Sequence, residues 1–374
     1  MPNESFVLLA IWVASTVILW IPRFAGHANA YRDYAIPLSV LTALSLAVPS
    51  APLSYGMLAL IAIVHAWSAR VTSTTASLYM TGSAAAAVIA AASLYMGQPG
   101  IAFAASSLAV ALRMGLIPLH AGVSRLCESN APLQSQQLAT SIVLIVAHLR
   151  FMDHSAVAYD VAALLVRVGA VMTLVPALLA LVQRDLRGFY RSATMMHGGM
   201  VFAALGAAGR GHMAAALMMI LTTAAAMTGL GLMVHALEER VGSVSMKQLG
   251  GRVHAFPKLA ASFIVFAGAG VAMPVTAGFI ADDLLLHALW EESVWGTATI
   301  ILGSALLAIA GLSAFAKIFL GARAQFMAPD LVRSERVGAV VLLLVLIGLG
   351  VTPGFVLTPA DEFFRGATSF LSLR

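Results

Sequence analysis

The sequence predicts an all-α polytopic membrane protein with about twelve transmembrane helices, and three observations carry that reading. Hydrophobic residues make up 60% of the 374-residue chain and charged residues 10%, with mean hydropathy +0.93. A soluble chain of this length could not cover so much apolar surface, whereas a bilayer removes the need to. Apolar runs of helical length recur throughout, without the sustained alternation an outer-membrane barrel requires. Basic residues, finally, gather in alternate connections between those runs.

The first run, 5–23, ends near Ala28-Asn29-Ala30, which resembles a signal-peptidase site. No Lys or Arg precedes it and Arg23 follows, so it reads as an uncleaved helix with its N-terminus outside. Runs at 36–50, 55–69 and 76–95 come next, with no acidic residue anywhere between Asp33 and Glu128. The fifth, 99–119, contains Arg113 and Pro118, and the sixth is 135–152. The seventh, 161–183, is almost wholly apolar from Ala162 to Val182 apart from Arg167 and stops at Arg184-Asp185-Leu186-Arg187-Gly188-Phe189-Tyr190-Arg191-Ser192. Its three arginines cannot sit in hydrocarbon, so this stretch is a sharp loop. The glycine-rich run 190–209 follows, then 213–237 and 257–279, separated by a polar connection at 238–256. A second polar connection, 281–294, leads to 295–320, which holds Lys317, and 336–356 closes the series. Several runs are short for a hydrocarbon core of about 30 Å.

Charge fixes an orientation. The connections at 24–35, 70–75, 120–134, 184–191, 238–258 and 321–336, with Arg23 at a boundary, hold fourteen Lys and Arg. The alternate connections and the C-terminal tail hold four: Arg150, Arg210, Arg365 and Arg374. This bias places both termini on the non-cytoplasmic side. Positive charge confined to short loops also explains the pI of 9.7 without nucleic acid. The single cysteine, Cys127, excludes an internal disulfide and a cysteine-based metal site. No connection is large enough to fold alone, so residues 1–374 form a single membrane domain. Nucleotide-binding loops are absent, and Gly268-Ala269-Gly270 reads as close helix packing. The eighteen methionines are scattered through the spans and suit pliant packing better than any cofactor.

Three segments, in order, resemble the antiporter-like proton-translocating membrane subunits of respiratory complex I. That family also includes cation/proton antiporters, membrane hydrogenases and inorganic-carbon uptake membrane subunits. The first segment is Arg113-Met114-Gly115-Leu116-Ile117-Pro118-Leu119-His120 with Asn130-Ala131-Pro132, similar to the family's lysine, Pro-Leu-His and Ala-Pro pattern. The second is Asp185 to Ser192 with His197 and Gly198. The third comprises Gly250-Gly251-Arg252, Pro257, Gly268 to Pro274, and Gly278-Phe279-Ile280-Ala281-Asp282-Asp283. Together they span about 105 to 290. The resemblance implies two inverted five-helix repeats, with a first repeat region at 76–209 and a second at 210–356. It also implies helices broken at mid-membrane, with Pro118, Pro274 and Gly278 as break points; the alternative is ordinary helix ends near the membrane face.

A proton path in such a family runs along buried groups that change protonation state. Arg113 occupies the lysine position, and an arginine stays charged, so it anchors or tunes but relays poorly. The partner glutamate has no counterpart. A His-x-x-x-His-x-x-x-Lys helix would fall on Ala215, Met219 and Thr223, with His235 at its terminal histidine. The lysine or histidine expected after Ala-Pro is also missing, His148 lying several residues later. Asp282 and Asp283 stand where the family carries its terminal lysine or acid. With His287 and Glu291 they form either a row that moves protons or an acidic cap on a solvated loop. Lys317 either pairs with Asp282 or Asp283, or snorkels to an interface, and Arg167 faces the same choice. His120, His197 and His235 either transfer protons or hydrogen-bond a neighbouring backbone. With no His-x-x-x-His pair and no acid-rich helix, no metal site is expected.

The implied function is a proton-translocating antiporter-like subunit of a hetero-oligomeric complex in an inner or other energy-transducing membrane, with a reduced central relay. Two alternatives stand beside it. One is the membrane subunit of an energy-coupled CO2/bicarbonate uptake complex whose soluble partner is a zinc-dependent carbonic-anhydrase-like chain. The other is a non-conducting scaffold. In every case the partners are further membrane or soluble subunits and lipid. The chain itself carries no catalytic constellation and no cofactor motif.

Overall fold

The computed structural model describes residues 2–24, 28–48, 50–70, 73–129, 131–153, 159–208, 212–246, 250–322 and 328–358. Their first seven helices are α1 (Pro2–Phe24), α2 (Ala28–Ala47), α3 (Ala51–Arg70), α4 (Thr74–Tyr95), α5 (Pro99–Met114), α6 (Ala121–Ser129) and α7 (Ala131–Asp153). The second seven are α8 (Tyr159–Val182), α9 (Leu186–Ala208), α10 (Met213–Val241), α11 (Pro257–Ala269), α12 (Ala277–Trp290), α13 (Val294–Phe319) and α14 (Arg333–Val351). The only β pairing among the described residues is one isolated bridge, Asp185 to Ser245. Leu, Ala, Met and Val, which dominate these runs, favour helix, and in hydrocarbon a helix satisfies its own backbone.

Six of these helices, α3, α4, α8, α10, α13 and α14, contain stretches long and apolar enough to cross a bilayer unaided. Buried among the others, α10 is the central helix of the bundle: its apolar window is enclosed along its whole length. The exposed residues of the outer helices are instead large and apolar, among them Leu78, Leu164, Ile309 and Leu344, as a lipid-facing surface requires.

Two crossings are broken. α5 has 16 residues and α11 has 13, about 24 and 20 Å at 1.5 Å per residue. Neither spans a core of about 30 Å alone. α5 ends where Gly115 takes a left-handed φ of 72°, its N–H returning to the Ala111 carbonyl, and Pro118 prevents immediate resumption of the helix. α6 then completes the crossing along the N-terminal part of α4, where Gly122 packs on Tyr79. α11 ends at Ala269, and residues 270–276 form the second break, with Ala272 and Val275 at φ 57° and 73°. Left-handed backbone at a β-branched residue costs about 1–3 kcal/mol, so the surroundings must hold it. The Met273 N–H bonds the Gly268 carbonyl at 3.0 Å, and the Thr276 hydroxyl bonds the Met273 carbonyl at 2.7 Å.

The expected polar connection at 281–294 is therefore corrected: most of it is α12. Asp282, Asp283 and Glu291 lower its mean hydropathy, yet it is the second half of a crossing that α11 cannot finish. Gly268-Ala269-Gly270 likewise does more than permit close packing, because α11 stops within it.

The basic groups share one face, although the stretch expected as a loop at 184–192 is mostly the first turns of α9, which begins at Leu186. There Arg187 pairs with Glu238, Arg191 with Glu128, and Arg240 with Glu335 at 2.6 Å. On the same face the Gly250 N–H bonds the Lys317 carbonyl, and the Lys258 N–H bonds Asp330. At the opposite end of the bundle His212 meets Glu291 at 3.5 Å, and Arg150 donates to the Leu46 and Val48 carbonyls.

Candidate functional site

Both breaks converge on the middle of α9. Its residues 186–208 place His197 and Gly198 at the centre. Gly198 leaves no room for a Cβ against the Met114 carbonyl, the C-terminal end of α5. The neighbouring His197 reaches the other break, its Nε2 lying 2.7 Å from the Gly270 carbonyl at the end of α11. Gly270 also abuts Met227, the middle residue of α10. Two consecutive residues thus touch both interrupted crossings at mid-membrane depth.

At the first break Arg113, 1% exposed, sits on the last turn of α5. Its Nε donates to Ser141 Oγ at 3.1 Å, and Nη2 donates to the Gln137 carbonyl at 3.3 Å and to Thr140 Oγ1. The Nδ1 of His65, on α3, lies 3.4 Å from Nη2. In return the Gln137 side-chain amide donates to the Arg113 carbonyl and caps the broken helix. Every partner is neutral, and no carboxylate among the described residues pairs with this guanidinium. Two turns earlier on α5, Ser106 bonds His148 Nδ1 at 2.8 Å.

At the second break the ring of His197 is buried between two carbonyls, with Nδ1 2.8 Å from Ala193 and Nε2 2.7 Å from Gly270. A neutral imidazole has one N–H, so only the protonated ring donates both bonds. Gly278 lies so close to the Ala269 carbonyl that any side chain would collide, which holds the two half-helices together. One and a half turns into α12, Asp282 is 7% exposed, with the Ser304 hydroxyl of α13 beside it. A cavity of about 300 Å³ adjoins this break, lined by apolar groups of Phe189, Met227, Val271, Pro274 and Leu307.

The remaining candidates lie apart from this centre. Asp283 and His287 face outward, 55% and 80% exposed, and meet each other at 3.4 Å. Glu291, just past the end of α12, meets His212. Lys317 is not paired with Asp282 or Asp283. Ser304, beside Asp282, is thirteen residues earlier on α13, about 20 Å away, and Lys317 is half-buried at the basic face. Arg167 is exposed on the flank of α8. His120 is half-buried in the first break, 3.3 Å from the Pro118 carbonyl, and His235 meets Glu239 at 3.3 Å near the end of α10. Of the family motif residues, Asn130 lies outside the described residues. On α10, Ala215, Met219 and Thr223 are buried, and the hydroxyls of Thr222, Thr223 and Thr228 have no partner.

Sequence reading missed His65, Gln137, Thr140 and Ser141. His65 lay inside an apolar run, with nothing to direct attention to it. The others had a signal: Gln134-Ser135-Gln136-Gln137 and Thr140-Ser141 cluster at the head of one apolar run, and all six are buried. Polar groups are costly in hydrocarbon unless they serve something.

Residues 35–308 match the family described as NADH:quinone oxidoreductase/Mrp antiporter, transmembrane. NADH-quinone oxidoreductase subunit M of Rickettsia felis is 24% identical over 258 residues, covering 67% of this chain and 52% of the relative. The chloroplastic NAD(P)H-quinone oxidoreductase chain 4 of Ipomoea purpurea is 26% identical over 210 residues, covering 53% of this chain and 42% of the relative. The chain thus spans about half the length of the curated relatives it matches. Among solved structures, a chain of respiratory complex I from Thermus thermophilus superposes with TM-score 0.82 at 20% identity, covering 97% of this chain and 85% of its own. A chain of the Mrp complex from Dietzia sp. gives 0.81 at 16%, covering 98% and 84%. These likenesses show the fold: an all-α membrane bundle of inverted repeats with broken helices. A match across most of the chain, over segments that carry both breaks, settles the kinship: this protein belongs to the NADH:quinone oxidoreductase/Mrp antiporter transmembrane family.

Proposed function

We propose that the chain is a proton-translocating antiporter-like subunit of a hetero-oligomeric membrane complex, and that its second break carries the titratable path. The observation that carries this reading is His197, held between two carbonyls at the point where α11 stops. A proton on that ring satisfies both carbonyls. Its departure leaves one carbonyl facing a lone pair, so protonation and the geometry of the break are linked. Asp282 is the next exchangeable group toward the face that carries His212 and Glu291. Water entering the break would connect the two, as interrupted helices in membranes allow. The central helix lacks any ionisable group at 215, 219 and 223, so the relay is shorter than in a chain bearing that row.

The repeats are read as 28–153 and 159–319, which makes the broken crossing fourth of five in each; this moves the boundary from 209/210 to the α7–α8 connection. The basic face is taken as cytoplasmic and both termini as non-cytoplasmic, on the strength of the charge bias. Partners are further membrane or soluble subunits of the complex.

The test is proton uptake into vesicles reconstituted with the complex purified through this chain, with mass identification of the co-purifying subunits. Asp282→Asn and His197→Gln should each suppress uptake while assembly persists. Uptake equal to wild type in both assembled variants refutes the reading and leaves a scaffold.

A further inference from the structure

We infer that Arg113 marks a binding site for a small monovalent anion, halide or bicarbonate, in the first break. A guanidinium has five N–H donors and no acceptor, and cannot shed its charge as lysine can. In Arg113, Nε and Nη2 are engaged by Ser141, Gln137, Thr140 and His65, but Nη1 has no partner. The residue is 1% exposed, so little beyond this one nitrogen can reach the water of the break.

The charge is also uncompensated. The α5 C-terminus contributes about half an elementary negative charge, which offsets the cation only in part. The facing side chains are all neutral, and an unpaired charge in low dielectric is costly. Acceptors and donors nearby are equally unspent: His65 Nε2, Gln137 Oε1, and both polar atoms of Gln134 have no hydrogen-bond partner. A bound anion would take the two Nη1 donors and neutralise the site. One fixed cation sets the valence, because a divalent anion would leave a net buried charge. Entry is available through the break, where Pro118 is exposed and His120 half-exposed. Bicarbonate would additionally offer an O–H to the free Gln137 oxygen, whereas a halide would use only the donors.

The experiment is thermal unfolding of the full chain with its native partners in lipid nanodiscs, in sodium bromide, sodium bicarbonate or sodium gluconate at matched pH and ionic strength. Bromide or bicarbonate should raise the wild-type midpoint by about 3 °C over gluconate, and the larger shift identifies the occupant. Arg113→Gln should abolish the shift. A wild-type midpoint indifferent to both anions, or an equal shift in Arg113→Gln, overturns the proposal. If Arg113→Gln does not assemble, Arg113→Lys decides. Keeping the cation but losing the fork, it should need about tenfold more anion for the same shift. An unchanged anion dependence in Arg113→Lys again overturns it.

Discussion

At the first break the C-terminal end of α5 carries a guanidinium, ringed by Ser141, Thr140, Gln137 and His65. At the second, the C-terminal end of α11 meets the imidazole of His197, with the carboxyl of Asp282 a turn and a half into α12. The backbone plan is shared: a half-helix stops at mid-membrane, a basic side chain lies at its carbonyl end, and a residue of the α9 centre packs on the gap. The side chains differ in the one property that matters for protons. Arg113 holds its charge permanently, whereas His197 and Asp282 can each gain and lose one. A fixed cation in a narrow polar passage repels protons and attracts anions. Under the two proposals one architecture serves opposite ionic preferences, the choice resting on a few side chains rather than on the fold.

Several substitutions break or sharpen that contrast. The largest effect belongs to Asp282→Asn, which removes the buried exchangeable acid of the second break; proton uptake by the reconstituted complex should fall at least about tenfold. A fall of less than about twofold would erase the difference between the breaks. His197→Gln comes next. It keeps a hydrogen bond to one carbonyl but cannot carry a proton, so uptake should fall roughly fivefold with assembly retained. Arg240→Met, remote from both breaks, should leave the contrast untouched and act on stability alone. It strips Glu335 of a bidentate partner where the two side chains are 8% and 6% exposed, costing about 3–5 kcal/mol in chemical unfolding. Gly198→Ala should cost about 1–3 kcal/mol, because the new methyl meets the Met114 carbonyl and pushes the first break off α9. The smallest effect is expected of Asp283→Asn. That carboxylate is 55% exposed and meets only the outward-facing His287, so uptake should stay within about twofold of wild type.

How much was legible beforehand varies with the range of the interaction involved. The family resemblance pointed to breaks at Pro118 and Pro274–Gly278, and helices stop close to both, at Met114 and Ala269, where glycine and proline act on their own backbone. α12 was obscured because its carboxylates resemble a solvated connection, and only the shortness of α11 reveals that the crossing is unfinished. Asp282 and Asp283 are adjacent in sequence and looked equivalent. The helix turns one toward Ser304 and the other outward, a difference of about 100° that composition cannot express. Lys317 seemed a partner for those acids until the length of α13 separated them. His65 became visible only when α3 was laid against α5.

The sequence by itself determined the solvent, the apolar helical runs and the alternation of charge, because each depends on residues within a few positions of one another. The tertiary structure alone decided which polar groups share a site. Arg113 and His65 are 48 positions apart, and His197 and Gly270 are 73 apart. Bonds across such separations follow from which helices pack side by side, and hydropathy along the chain carries no record of that choice.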